Sequence, residues 1–226
     1  MALPLIIIVG ADKGGVGKTT ISRALIDYLK STNKEVRAFD TEYPAGVLKR
    51  FHPDKTEVVD LTKSDDQMKV FDNLSPVTVT LIDVRAGLLS PTLSVLNDIG
   101  FFQMAKEGKI KIIVFHVLGS TIASLNEVKA TAEIMKNADH FLLKNHTNGA
   151  VFFDGINSVA KDIFNTESAP VLDIPKLDER ATEYVEAAGL PFAQFIADDS
   201  QSMVLRGKVN HWLQQVFVQF NNAKLS

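Results

Sequence analysis

The sequence predicts an α/β fold in which a doubly wound, mostly parallel β-sheet is flanked by helices. Short apolar runs of strand length alternate with segments of helical periodicity, and the runs are apolar almost throughout. Parallel strands covered by helices on both faces have this continuous apolar character. Repeated strand–helix alternation also implies right-handed crossovers, and ligands of such sheets bind at the carboxyl ends of the strands.

Six strands are predicted from the apolar runs. They are Leu5–Val9, Val36–Phe39, Val79–Ile82, Ile110–Val117, Phe141–Leu143 and Val171–Ile174. Residues 43–76 form the least regular part of the chain, where we predict a short strand near Val58–Leu61 and a helix near Asp65–Phe71. Each motif described below directly follows a predicted strand, which is where the fold places ligand-binding residues.

The first helix follows from apolar residues at positions i, i+3, i+4, i+7 and i+8, which lie on one helical face. These residues are Ile21, Ala24, Leu25, Tyr28 and Leu29. Further helices are predicted over residues 90–106, 121–137, 155–165, 179–188 and 203–222. The last has an apolar stripe formed by Val209, Trp212, Leu213, Val216, Phe217 and Phe220. Its opposite face lacks a row of Lys or Arg, which favours core packing over membrane attachment.

The composition excludes several kinds of site. The chain has 226 residues, a formal net charge of −3 and no cysteine, so disulfides, thiolate zinc sites and iron–sulfur clusters are excluded. The net charge provides no overall attraction to nucleic acid, although Arg206 and Lys208 can contribute to a weak DNA-facing patch. We expect a single domain over residues 1–226 in a soluble, cytoplasmic protein.

A glycine-rich segment after the first strand has the features of a phosphate-binding loop. It runs Lys13-Gly14-Gly15-Val16-Gly17-Lys18-Thr19-Thr20 and nearly meets the pattern G-x-x-x-x-G-K-[ST], with Asp12 in the place of the first glycine. Glycines allow successive backbone N–H groups to surround phosphate oxygens, and the N-terminus of the following helix adds partial positive charge. Lys18 is expected to bind the β- and γ-phosphates, and the Thr19 hydroxyl to bind Mg²⁺. The alternative is a glycine-rich turn in which Lys and Thr are incidental.

The string K-G-G-V-G-K-T-T, with its additional Lys13, resembles the deviant Walker A motif of the ParA/MinD family. Asp40–Gly46 resembles the first switch of that family, and Leu81–Gly87 resembles its Walker B motif and second switch. Val171–Pro175, followed by Ala187–Pro191, is similar to the family's strand-I-P and A-x-x-G-x-P segments. The resemblance implies a P-loop NTPase fold of the SIMIBI type, with ATP and Mg²⁺ as cofactors.

The resemblance also implies roles for individual residues. Lys13 would cross an ATP-dependent dimer interface to reach the partner's phosphate, although a loop lysine binding phosphate within its own subunit is the alternative. Asp40 and Glu42 would be catalytic, as water-orienting or metal-linked carboxylates. Glu42 replaces the family's usual Asp, and a displacement of about 1 Å can lower a rate about 100-fold, so we predict slow hydrolysis.

Asp83 ends a predicted strand, so its carboxylate is expected at the carboxyl edge of the sheet, where it would hold Mg²⁺ through a water molecule. Gly87 would offer its amide to the γ-phosphate and allow the segment to move after hydrolysis. The alternative for Asp83 is an ordinary aspartate that ends a strand before a turn. Arg85 stands where the family often has proline, and is either a cation near the phosphates or an exposed loop residue.

A base-binding region is also implied by the resemblance. Phe141–Asn145 resembles the strand whose terminal Asn contacts adenine, while Pro175 and Leu177 would supply backbone and apolar walls. Asn145 is equally compatible with a simple turn residue. A guanine-specific N-K-x-D string does not follow Asn145, which favours ATP over GTP.

Together these features lead to one principal hypothesis and two alternatives. The principal one is a ParA/MinD-like ATPase that dimerises around Mg-ATP and uses slow hydrolysis in DNA partition or cellular positioning, with a small DNA-binding companion protein. The first alternative is a metabolic enzyme similar to dethiobiotin synthetase, because Gly10-Ala11-Asp12 is close to the start of that loop. The second is a weakly hydrolysing scaffold that recruits a protein partner, as suggested by the departures at Asp12 and Glu42.

Overall fold

The computed structural model describes residues 3–11, 13–118, 128–129, 131, 138–146 and 171–225. Within them, seven parallel strands form one sheet in the order β3-β2-β4-β1-β5-β6-β7. The strands are β1 (Leu5–Gly10), β2 (Glu35–Asp40), β3 (Thr56–Val58), β4 (Thr78–Asp83), β5 (Lys111–Leu118), β6 (Asp139–Asn145) and β7 (Val171–Ile174). The predicted fold class is confirmed.

Eight helices are assigned in the described part of the chain. They are α1 (Lys18–Ser31), α2 (Val47–Phe51), α3 (Ser64–Phe71), α4 (Leu89–Asp98), α5 (Phe101–Lys106), α6 (Glu179–Ala188), α7 (Phe192–Ala197) and α8 (Met203–Asn222). The single helix predicted over 90–106 is wrong, because Gly100 adopts a left-handed conformation with φ of 77° and separates α4 from α5. The helix predicted over 155–165 lies outside the described residues, as does that over 121–137 apart from 128–129 and 131.

Both faces of the sheet are covered, as the continuous apolar character of the strands predicts. Alternate residues of β1 point to opposite faces, so Ile7 and Val9 belong to one buried cluster while Ile6 and Ile8 belong to the other. The first cluster is completed by α1, α6, α7 and α8, and the second by α4 and α5. The central strand β1 therefore has no solvated face.

The apolar stripe of the C-terminal helix α8 lies in the core. Val209, Trp212, Leu213 and Val216 are buried, and the Trp212 indole Nε1–H donates to the Pro175 carbonyl oxygen at 2.7 Å. The prediction of core packing is confirmed. No helix in the described ranges contains an apolar stretch long enough to cross a lipid bilayer.

The sheet topology brings three chain segments together at one edge. Strands β2, β4 and β1 are neighbours, and Asp40, Asp83 and Val9 occupy matching positions in the parallel register. The glycine-rich loop after β1 therefore emerges beside the carboxylates that end β2 and β4.

Candidate functional site

The glycine-rich loop joins the end of β1 to α1. Gly15 and Gly17 have φ angles of 75° and 91°, which favour glycine because a Cβ atom would strain the backbone there. Gly14 and Gly15 are exposed, whereas Val16 is buried and anchors the loop in the core. The N-cap residue of α1 is Gly17, which has no side chain to accept a hydrogen bond from the first turn of the helix. The exposed backbone and the helix N-terminus together suit an anionic ligand.

Lys18 is the first residue of α1 and is held against the loop. Its side chain is 8% exposed, and Nζ donates to the carbonyl oxygen of Lys13 at 3.2 Å. The ammonium is thereby directed across the loop, while Lys13 itself is exposed at the rim. The loop therefore carries one buried lysine, Lys18, and one exposed lysine, Lys13.

Thr19 and Asp83 form the floor of the site. The Thr19 hydroxyl donates to Asp83 Oδ2 at 2.9 Å, and Asp83 Oδ1 is buried without a hydrogen-bond partner among the described residues. Burial, and secondly the neighbouring charge of Asp40, raise the pKa of Asp83 to about 7. A buried carboxylate beside a threonine hydroxyl is an oxygen-donor arrangement that suits Mg²⁺. The structure brings together both predicted metal-binding residues.

Asp40 is buried, and both of its oxygens are used by the backbone. Oδ1 accepts from the Glu42 amide at 2.9 Å, and Oδ2 accepts from the Leu48 amide at 2.7 Å. The carboxylate therefore fixes the loop over residues 41–46 and the first turn of α2. The predicted water-orienting role of Asp40 stays a prediction, and the structure adds this organising role.

The remaining residues predicted near the phosphates lie around one cleft. This cleft, here called the phosphate cleft, has a volume of about 280 Å³. It is lined by Gly14, Gly15, Gly17, Lys18, Thr19, Thr20, Asp40, Glu42, Asp83, Val84, Arg85 and Ala86. Glu42 and Arg85 are exposed, and the Arg85 amide donates to Thr41 Oγ1 at 2.8 Å. Gly87, with φ of 77°, lies just beyond the lining.

A second cleft, here called the side cleft, adjoins the first and has a volume of about 260 Å³. The two clefts share Gly17 and Thr20. The lining residues are Gly17, Thr20, Arg23, Asn145, His146, Pro175, Lys176, Leu177, Glu179, Thr182, Val185, Glu186, Phe192 and Trp212. All three residues predicted to surround a base are therefore brought together beside the phosphate loop.

Asn145 has a structural contact in addition to its place in the side cleft. Its amide Nδ2 donates to the carbonyl oxygen of Val16 at 2.7 Å, which ties the end of β6 to the phosphate loop. The next residue, His146, contacts Asp173 of the neighbouring strand β7, with 2.7 Å between His146 Nε2 and Asp173 Oδ1. Asn145 can thus position the loop, and its predicted contact with adenine stays a prediction.

Sequence reasoning missed Arg23 and Glu186 in the side cleft. Arg23 is 2% exposed, and its Nη1 contacts Glu186 Oε1 at 2.5 Å. Burial lowers the pKa of Arg23 to about 10, so it remains charged at neutral pH. Arg23 lies off the apolar stripe of α1, and its surroundings come from Phe51 of α2 and from α6 and α7, the last two more than 150 positions later in the chain. No local pattern reveals such a contact.

The architecture is similar to that of solved nucleotide-binding proteins. MinD from Pyrococcus horikoshii, solved with Mg-ADP, has 15% identity and a TM-score of 0.61, covering 97% of this chain and 96% of that one. A nucleotide-binding protein from Archaeoglobus fulgidus, solved with ADP, has 18% identity and a TM-score of 0.56, covering 83% and 87%. MinD from Aquifex aeolicus has 16% identity and a TM-score of 0.51, covering 92% and 95%. At these identities the likeness shows the fold alone.

The sequence comparisons identify the family. A search of curated protein sequences finds no match. A family model described as the CobQ/CobB/MinD/ParA nucleotide binding domain matches residues 7–202, which include the whole lining of the phosphate cleft and all of the side cleft except Trp212. The resemblance seen in the motifs is therefore confirmed, and this chain belongs to the CobQ/CobB/MinD/ParA nucleotide-binding-domain family.

Proposed function

We propose that this chain is an ATPase of the ParA/MinD type that binds Mg-ATP and forms a dimer around it. The observation that carries the proposal is the Thr19–Asp83 contact beside Lys18, at the N-terminus of α1. A buried carboxylate oxygen without a partner is costly, and a hydrated cation would satisfy it. Two structural neighbours were solved with ADP or Mg-ADP, which supports the same class of ligand here.

Six residues of the phosphate cleft have defined parts in this proposal. Backbone amides of Gly14, Gly15 and Gly17 bind the phosphate oxygens, and Lys18 offsets the charge of the β- and γ-phosphates. Thr19 and Asp83 hold Mg²⁺, which neutralises charge that develops on the phosphates. The triphosphate tail would lie in the phosphate cleft and the base in the side cleft, because Gly17 and Thr20 line both.

Glu42 is the better candidate for orienting the attacking water. Both oxygens of Asp40 already accept backbone hydrogen bonds, whereas Glu42 is exposed and lines the phosphate cleft. A flexible, solvated glutamate is poorly preorganised, so we expect slow turnover. Glu42→Ala should lower phosphate release at least about tenfold while Mg-ATP binding is retained. Full turnover by Glu42→Ala would contradict this assignment.

Lys13 is proposed to act across a dimer interface. It is exposed at the rim of the phosphate loop, where a second subunit can approach, while Lys18 occupies the interior. Because each subunit would supply a cation to the other's phosphates, dimerisation would depend on the triphosphate. A timer of this kind fits a role in DNA partition or cellular positioning, with a DNA-binding companion as partner.

The direct test is light scattering coupled to size-exclusion, with and without a non-hydrolysable ATP analogue and Mg²⁺. We expect the wild type to become dimeric with the analogue, Lys13→Ala to bind it but remain monomeric, and Lys18→Ala to lose binding. Lys109→Ala, at an exposed position before β5 and hence at the opposite edge of the sheet, is the matched control. A wild type that binds Mg-ATP but stays monomeric would contradict the dimer proposal.

A nucleotide-dependent scaffold is the second candidate, favoured by the occupation of both Asp40 oxygens. It differs from the leading proposal in one measurable respect. Tight Mg-ATP binding without phosphate release, in the presence of DNA and a partner protein, would support the scaffold. DNA titrations with and without ATP at two salt concentrations would separate specific use of DNA from weak charge attraction.

A further inference from the structure

A group of five side chains joins α2 to the wall of the side cleft. We call this group the arginine clamp, and it consists of Arg23 of α1, Arg50 and Phe51 of α2, Glu186 of α6 and Phe192 of α7. Glu186 accepts from both arginines, with distances of 2.5 Å from Arg23 Nη1 to Oε1 and 2.6 Å from Arg50 Nη2 to Oε2. One carboxylate therefore connects three helices.

The aromatic members of the clamp enclose the buried arginine. The Arg23 guanidinium carbon lies 3.4 Å from the centre of the Phe51 ring and 4.3 Å from that of Phe192. Arg50 lies 4.3 Å from the same Phe51 ring. Cation–π contacts are strongest where the cation is desolvated, and Arg23 is 2% exposed. The C-terminal end of α2 is consequently held firmly against α1 and α7.

The other end of α2 is held by the phosphate cleft. Asp40 Oδ2 accepts from the Leu48 amide in the first turn of α2, and Asp40 Oδ1 accepts from the Glu42 amide in the preceding loop. Helix α2 has only five residues, about 7 Å of helix. It therefore forms a short, rigid link from the loop beside the phosphates to Glu186 and Phe192, which line the side cleft.

We infer that Glu186 is a positioning residue that couples the two clefts, so that occupation of the γ-phosphate position by a ligand changes the affinity of the side cleft for a base. This inference rests on the proposed binding of Mg-ATP. In this inference, a displacement of the 41–46 loop around the γ-phosphate would move α2. Arg50 of α2, which contacts both the side chain and the main-chain oxygen of Glu186, would transmit that movement to α6. The coupling is reciprocal, as it must be for any two linked binding equilibria.

The test is a thermodynamic cycle measured with four ligands in the presence of Mg²⁺. The ratio of Kd values for ADP and a non-hydrolysable ATP analogue reports the effect of the γ-phosphate when the side cleft is filled. The ratio of Kd values for pyrophosphate and tripolyphosphate reports the effect of the third phosphate when the side cleft is empty. In the wild type we expect the first ratio to exceed the second about fivefold or more, within the usual range of coupling between sites.

Arg50→Gln is the decisive variant because Arg50 lines neither cleft and is 54% exposed. Removing one partner of a surface pair has little effect on stability, and thermal denaturation checks this. We expect the two ratios to become equal within about twofold in Arg50→Gln. When Arg50→Gln is added to Glu186→Gln, the two ratios of Kd values should not change further. Arg180→Gln, an exposed arginine on the same helix α6 whose ring contact is with Tyr184, is the matched control and should behave like the wild type.

The outcomes separate this inference from the proposed function. A folded wild type that binds none of the Mg-nucleotides would overturn both. A wild type with equal ratios, or an Arg50→Gln variant with the wild-type difference, would overturn the coupling and leave Mg-ATP binding standing. Additive effects of the two substitutions would show that the signal does not pass through Glu186, and would also overturn it.

Discussion

Two buried carboxylates, Asp83 at the end of β4 and Asp27 in the middle of α1, lie along helix α1 in different surroundings. In its first turn, Thr19 contacts Asp83, whose pKa is raised to about 7 by burial. Two turns later Asp27 is also buried, and burial raises its pKa to about 6. Asp83 lines an open cleft and retains an oxygen without a partner, whereas Asp27 lies outside both clefts and accepts from the Ala193 amide at 3.0 Å.

This comparison shows that a raised carboxylate pKa does not by itself identify a ligand-binding residue. Burial produces the shift in both cases, so the distinguishing features are access and satisfaction of hydrogen bonds. Asp83 can gain a cation from solvent, while Asp27 already stabilises the start of α7. Helix α1 thus contacts Asp83 at its N-terminal end, where a ligand is proposed to bind, and carries Asp27 in its structural middle. The two ends of this comparison can be tested separately.

The largest effect is expected at the structural middle. Arg23→Ala would remove a buried side chain, its contacts with two rings and its ion pair with Glu186, and should lower the free energy of unfolding by about 3–5 kcal/mol. Chemical denaturation without ligand measures this. Both variants leave Glu186 paired with Arg50, but Arg23→Met keeps most of the side-chain volume, so its cost should be clearly smaller. Equal costs for the two variants would show that packing contributes little.

The ligand-binding end should respond in the opposite direction. Asp83→Asn removes a buried negative charge next to Asp40, so at pH 8 the ligand-free protein should gain about 1–2 kcal/mol in free energy of unfolding. The same substitution should reduce the gain in nucleotide affinity that Mg²⁺ provides by at least about 30-fold. Denaturation without ligand and calorimetry with and without Mg²⁺ measure the two effects. A destabilised variant with normal Mg²⁺ dependence would assign Asp83 a structural role.

Asp27 provides a pH-dependent test of the same comparison. Its pKa is raised from 3.8 to about 6 in the folded protein, so its stabilising contribution is fully present below pH 3.8 and is lost as the pH rises through 6. The stability of the wild type relative to Asp27→Asn should therefore fall by about 2 kcal/mol between pH 4 and pH 7. Denaturation of both proteins across this range measures it. Asp54→Asn, at an exposed position, is the control, and a difference independent of pH would contradict the assignment.

The features that the sequence predicts well depend on residues close together in the chain. The apolar runs predict six of the seven strands, whereas β3 at Thr56–Val58 shares only Val58 with the strand predicted near Val58–Leu61. The spacing of Ile21, Leu25 and Leu29 predicts α1. Gly17, Lys18 and Thr19 predict the phosphate loop without reference to the rest of the fold. Asp83 is predictable because it ends a strand, and parallel strands end at a common edge.

The features that the sequence does not reveal depend on distant contacts or weak local signals. Helices α2 and α7, with five and six residues, are too short to show a helical period. The burial of Arg23 and Asp27 depends on α6 and α7, so their positions outside the apolar stripe of α1 give no indication of it. Glycine at position 100 is itself a local signal for the break between α4 and α5. The apolar pattern that continues on both sides of Gly100 conceals this signal.

The smallest effect is expected at Gly87, one of two glycines that flank the phosphate cleft. Gly46 and Gly87 both have positive φ angles, but a Cβ atom at Gly46 would collide with Val58 Cγ2, whereas one at Gly87 would meet nothing within 4 Å. Gly87→Ala should therefore show backbone strain alone, about 1 kcal/mol in free energy of unfolding, and Gly46→Ala should cost more. Denaturation without ligand measures both.

If Gly87 also offers its amide to the γ-phosphate, Gly87→Ala should weaken binding of the ATP analogue more than binding of ADP, because strain in this loop would matter most when the third phosphate is present. Equally weakened binding of both ligands would show that Gly87 has a structural role only.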